Sequence, residues 1–154
     1  MAAVAALRLT LLLVRAGSGH STYESLALDF LRRTGRALPS SSRTVRSEQH
    51  LLSTAADIRK ETAAALWLAD LGGLDLTSEQ FAARIDKARD GGLRHLMLAI
   101  GPADGWSAEA RKQADLRFSL GPMTLPHELA ALVLAEQIYR ASTILQGHPY
   151  HLGH

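Results

Sequence analysis

Four of the seven histidines, His127, His148, His151 and His154, fall in the last segment of this chain. An imidazole titrates near neutrality, so such a group accepts a proton, donates a hydrogen bond or binds a metal. Pro149 prevents a helix that would align His148 with His151, and no carboxylate adjoins them in sequence, so no metal site is expected. Proton acceptance or hydrogen bonding remains open for His148 and His151, as does a tail without chemistry. Upstream, Glu136 and Arg140 stand four apart in the favourable order for a helical ion pair, which alone accounts for the two. If Arg140 does chemistry, it is as a phosphate or base contact, because a guanidinium stays charged.

A second group of candidates lies at the ends of apolar runs: Leu68-Ala69-Asp70, Ile100-Gly101-Pro102 and Leu120-Gly121-Pro122-Met123-Thr124-Leu125. In an open parallel sheet, ligands bind outside the carboxyl ends of the strands. Gly101 and Gly121 would let a ligand approach the backbone closely. Singly, each run reads as a turn glycine beside core leucines; together, their order and spacing point to one site.

The elements that must position these residues alternate. Strands are expected at Leu7–Val14, Ala64–Ala69, Leu93–Ile100 and Arg117–Leu120, with an edge strand or arginine-bearing loop at Leu38–Val45. Helices are expected from the Ser21–Glu24 capping-box spacing to about Arg33, from Ser47 to about Thr62, from Thr77 to Gly91-Gly92, from Ala108 to about Ala114, and from the Thr124–Pro126 start to about Gln146. This pattern predicts one α/β domain over residues 1–154, with a mainly parallel sheet and helices on both faces. The last helix has two apolar faces, Leu129/Leu132/Val133/Ile144 and Leu134/Ile138/Ala141/Leu145. The second is expected to cover a partner in a dimer.

At 154 residues the chain is one domain by length, and the absence of cysteine excludes a disulfide framework or a thiolate metal site, which suits a cytoplasmic protein. The apolar start is interrupted by Arg8 and lacks a basic leader, so it reads as a buried strand; no stretch approaches the ~20 apolar residues of a membrane span. Gly17-Ser18-Gly19-His20 lacks both the early Gly and the Lys of a P-loop and reads as a connection. Net charge is only +2, but Arg32, Arg33, Arg36, Arg43 and Arg46 have no acidic residue between them. Such a stripe either binds a polyanion or keeps a surface solvated.

The runs Thr124-Leu125-Pro126-His127, Ala135-Glu136-Gln137-Ile138-Tyr139-Arg140-Ala141 and His148-Pro149-Tyr150-His151 resemble the C-terminal signature of bacterial large-subunit ribosomal RNA pseudouridine N3-methyltransferases of the SPOUT superfamily. Leu98-Ala99-Ile100-Gly101 with Asp104-Gly105, and Leu68-Ala69-Asp70 with Gly72-Gly73, are similar to two further cofactor loops of that family. The resemblance covers essentially the whole chain and is closest from Leu66 onward. It implies a C-terminal deep trefoil knot that holds S-adenosylmethionine through Ala69, Gly101, Leu120, Gly121, Pro122, Met123, Thr124 and Leu125. It also implies a homodimer in which the tail of one subunit closes over the site of the other, bringing His148, His151 or Arg140 to a nucleotide of 23S ribosomal RNA, free or in the assembled ribosome. Two departures stand out. Pro102 deletes a backbone donor where the family usually has a second Gly, and the helix before Ala64 is roughly two turns short at 3.6 residues per turn. These leave room for a different RNA target or for a ribosome-binding relic without turnover.

Overall fold

The computed structural model describes residues 6–15 and 21–152; the expected Gly17–His20 connection and His154 lie outside them. The elements, in order, are β1 (Arg8–Val14), α1 (Thr22–Arg33), β2 (Ser40–Val45), α2 (Glu48–Glu61), β3 (Ala64–Asp75), α3 (Ser78–Asp90), β4 (His95–Ile100), α4 (Ala108–Gln113), β5 (Leu116–Ser119) and α5 (His127–Leu145). The five strands form one sheet in the order β2-β1-β4-β3-β5, and every pairing is parallel.

Alternation along the central strands builds a core on each face. Leu9, Leu11 and Leu13 of β1 and Leu96, Leu98 and Ile100 of β4 turn toward α1, α3 and α5. Leu12, Val14, Met97 and Ala99 turn to the other face, with Leu51 and Ala55 of α2 and Ala110 of α4. Both faces of these strands are therefore dry, which is why they read as continuous apolar runs.

Ser21, Ser47, Thr77 and Ser107 each cap a helix through the side-chain oxygen, as a short hydroxyl should. The reciprocal capping box forms at Thr77 and Gln80, whereas the Glu24 carboxylate approaches Arg15, 3.8 Å away. The start of α5 differs from expectation. Pro126 is its N-cap, without a side-chain hydrogen bond, and Thr124 stays exposed in the preceding loop. At the other end, Gly147 takes φ +70° and His148 N–H reaches Thr143 O at 2.9 Å, a Schellman stop that frees the tail to turn back.

Two further expectations are corrected. β3 runs past Ala69 to Asp75, because Phe118 of β5 lies opposite both Ala69 and Leu74 while the residues between them leave the ladder. Gly73 makes this possible, since a Cβ there would stand 2.5 Å from Phe118 N. On α5, Leu134 and Ile138 are fully buried within the subunit, and Ala141 nearly so, while Leu129, Leu132, Val133 and Ile144 are half-buried. The face expected to await a partner is thus the one that packs inward. α5 is clasped by α1 and α3 as well as by the sheet, and hydrophobicity alone does not distinguish its two apolar stripes.

Candidate functional site

The register brings the three expected loops together. Ala69 pairs with Ile100 on one side and Phe118 on the other, so the break in the β3 ladder and the ends of β4 and β5 lie at the same edge of the sheet. Asp70, the next residue, has a side chain only 8% exposed and accepts hydrogen bonds from Arg111 at 3.0 Å and Arg117 at 3.1 Å. Burial pushes its carboxyl up, but the two guanidiniums outweigh burial and hold it below its ordinary value. Asp70 thereby fastens the bulged part of β3 to α4 and β5.

Trp106 fastens the same part to β4. Its indole is 5% exposed, and its N–H donates to the Ala69 carbonyl at 2.8 Å, where the regular ladder of β3 lapses. The ring lies flush on Gly101, where a Cβ would meet Trp106 Cε2 at 2.7 Å. Glycine at 101 therefore accommodates the indole, not only a ligand. The turn after Pro102, closed by Gly105 N–H to Pro102 O at 3.0 Å, delivers Trp106 to that position. We expect Trp106→Phe to keep the stacking and orphan the Ala69 carbonyl, at ~1–3 kcal/mol. Thermal unfolding should fall accordingly, and cofactor affinity should weaken more than the rate at saturation.

The loop 120–125 sets backbone donors beside apolar side chains. Ser119 Oγ bonds both the N–H and the carbonyl of Gly121, each at 3.0 Å, and fixes the turn at φ +122°. Beyond it, the N–H groups of Met123, Thr124 and Leu125 have no protein partner among the described residues. Leu120 and Leu125 pack on the core as a half-buried ledge, and Met123 is 80% exposed above them. N–H groups without a protein partner beside an apolar ledge can hydrogen-bond a ligand whose ring packs on the leucines.

The tail residues gather elsewhere. Arg140 donates to Glu136 Oε1 through Nε at 3.0 Å and Nη2 at 2.7 Å, and Tyr150 OH donates to the same oxygen at 3.1 Å. Tyr150 stacks edge-on against Tyr139, with centroids 4.8 Å apart; burial, then Glu136, raises its phenol above the ordinary value. His151 bridges Arg140 Nη1, 3.0 Å from Nδ1, and Glu79 Oε1, 2.6 Å from Nε2. A guanidinium only donates and a carboxylate only accepts, so His151 fits as a neutral ring with its proton on Nε2. His148 Nδ1 accepts from Tyr150 N–H at 3.1 Å, which likewise leaves the proton on Nε2. Both imidazoles have their lone pair engaged in this arrangement; the Nε2–H of His148 has no protein partner among the described residues, whereas that of His151 goes to Glu79. Sequence reasoning assigned no role to Trp106, Asp70, Tyr150 or Glu79, although Asp70 and Tyr150 lie within motifs it had singled out.

Within one subunit the two groups stand at different levels of α5. Glu136, the tail's anchor, lies nine residues after His127, roughly 14 Å along the axis at 1.5 Å per residue. No hydrogen bond links His148 or His151 to loop 120–125 among the described residues. Also among the described residues, no helix is long and apolar enough to cross a membrane, and no cluster of His, Asp or Glu could hold a metal ion.

The chain is similar to known proteins. The family model described as predicted SPOUT methyltransferase matches residues 9–151. A protein of Koribacter versatilis named ribosomal RNA large subunit methyltransferase H is 44% identical over 134 residues, covering 87% of this chain and 91% of that one. A Brucella anthropi protein of the same name is 52% identical over 91 residues, 59% of this chain and 57% of its own length. Among solved structures, a probable methylase family protein from Haemophilus influenzae superposes with a TM-score of 0.55 at 12% identity, over 96% of this chain and 71% of that one, a likeness of fold alone.

Proposed function

The chain belongs to the SPOUT methyltransferase family, and from that premise we propose that it methylates N3 of a pseudouridine in 23S ribosomal RNA, using S-adenosylmethionine. The observation that carries the reading is the 44% identity, along nearly its whole length, to a relative named for large-subunit ribosomal RNA methylation. We read the C-terminal part as the knot of that family and the working unit as a cytoplasmic homodimer.

The bound cofactor supplies an already activated methyl group. Ala69, Gly101 and the loop Leu120–Leu125 hold it, Trp106 and Asp70 keep those loops in place, and the unpaired N–H groups of Met123, Thr124 and Leu125 are the donors it meets. The acceptor nitrogen gives up its proton to the surrounding water, leaving charge on the neighbouring base oxygens. Donors aimed at those oxygens stabilise the anion. Arg140 and the Nε2–H of His148 are such donors, joined by the Nε2–H of His151 once it leaves Glu79, and the engaged Nδ1 lone pairs favour this role over proton acceptance. The tail's distance along α5 from its own loop supports its service to the partner's site.

The test is a titration of S-adenosylmethionine into pure protein, followed by methyl transfer to large ribosomal subunits lacking the modification. Saturable binding and one methyl per subunit at a pseudouridine are expected. Binding without transfer would instead favour the relic, and transfer to another nucleotide a different RNA target.

A further inference from the structure

Among the described residues, no strand pairs with the outer edge of β2. Ser41, Ser42, Arg43 and Thr44 are exposed in succession. Leu9 N–H donates to Pro39 O and Arg15 N–H to Val45 O, both at 2.9 Å, so odd-numbered residues turn their backbone groups toward β1. By strand alternation, Ser40, Ser42 and Thr44 direct N–H and C=O outward. Arg36 before the strand, Arg43 within it and Arg46 after it are all exposed, and among the described residues no carboxylate pairs with them. The rest of the arginine stripe is engaged. Arg32 lies 3.7 Å from Asp29, and Arg33 stacks over Tyr139 at 4.5 Å and Phe30 at 5.4 Å.

The hydroxyls of Ser42 and Thr44, the outward N–H groups and the uncommitted guanidiniums, all on or beside one strand, form the donor set that phosphate oxygens accept from. We propose that the β2 edge, through Arg36, Arg43, Arg46 and the Ser42 backbone, grips the phosphodiester backbone of the RNA substrate. The inference rests on the RNA reading above and adds where the RNA is held. The strand order places this grip three strands from β3, roughly 14 Å at about 4.8 Å per strand, so it anchors RNA away from the reacting base. The competing account is that the arginines only guard an open edge against pairing with another strand.

The experiment compares native protein, Arg36→Gln/Arg43→Gln/Arg46→Gln and Ser42→Pro on large ribosomal subunits lacking the modification. Proline is tolerated where the lost N–H faces away from the sheet. The triple variant should raise KM at least tenfold with kcat and S-adenosylmethionine affinity nearly unchanged. Its slope of log affinity against log salt should fall by roughly 2, at ~0.7–0.9 per lost phosphate contact. Ser42→Pro should raise KM a few-fold at native charge. A triple variant with native KM and slope, or one that merely self-associates while still binding subunits normally, overturns the grip and leaves the edge-guard account. Native protein that neither binds nor methylates the subunits overturns the RNA reading itself, and the grip with it.

Discussion

Deleting residues 148–154 abolishes methyl transfer while S-adenosylmethionine binds with nearly native affinity. This result is expected because the donors that face the base and the loops that hold the cofactor are built separately. Loop 120–125 is fixed by Ser119 and the core, Trp106 ties Ala69 to Gly101, and none of these contacts involves the tail. The tail hangs instead on Glu136, Arg140 and Glu79. Single changes His148→Ala and His151→Ala should be partial. A positioned proton acceptor contributes ~10²–10⁴ in rate, and donors that only steady the base contribute less; the engaged lone pairs favour the smaller effect. Mixed dimers locate the tail's site of action. A tail-deleted chain paired with a Thr124→Trp chain, blocked in an exposed part of the cofactor loop, has one intact loop facing one intact partner tail. Activity should partly return in that mixture. No recovery in samples shown to contain heterodimer would mean that each tail serves its own subunit or none. Gly101→Trp is a poorer block, since even a Cβ there collides with Trp106.

The alternating elements were legible because each leaves a local mark: hydroxyl caps at Ser47, Thr77 and Ser107, continuous apolar strands at β1 and β4, and Gly147 with Pro149 after α5. The strand-end loops were legible as glycines and leucines in an order that matches a known pattern. What stayed hidden depends on contacts between segments distant in sequence. Trp106 in isolation is an apolar residue in a Gly-rich turn, and nothing nearby says that its N–H will meet a carbonyl 37 residues upstream. The continuation of β3 to Asp75 is hidden likewise, because only β5 makes Leu74 a strand residue. Glu136 and Arg140 were visible as an ion pair, but their use as the tail's anchor follows from the reversal at Gly147, which brings Tyr150 back along the helix.

Leu134→Glu is expected to prevent the subunit from folding, whereas Val133→Glu is expected to leave it folded and to separate the proposed dimer. The two residues are neighbours, yet α5 turns them to opposite environments. Leu134 is wholly buried among leucines and alanines of the sheet and α1. A carboxylate there has no partner, and such changes cost about 4 kcal/mol or more, comparable to the stability of a small domain. Val133 is half-buried and continues a stripe of half-buried residues, Leu129, Val133, Glu136, Gln137 and Arg140, along one side of α5. If two subunits meet on that stripe, the interface passes directly over Arg140 and the tail, as a shared site requires. Circular dichroism and thermal unfolding should therefore report loss of structure for Leu134→Glu and near-native stability for Val133→Glu. Sedimentation should show a monomer for Val133→Glu, with methyl transfer lost and S-adenosylmethionine still bound. A Val133→Glu dimer that sediments and turns over as the native protein does would move the interface off this face of α5, and the partner's tail with it.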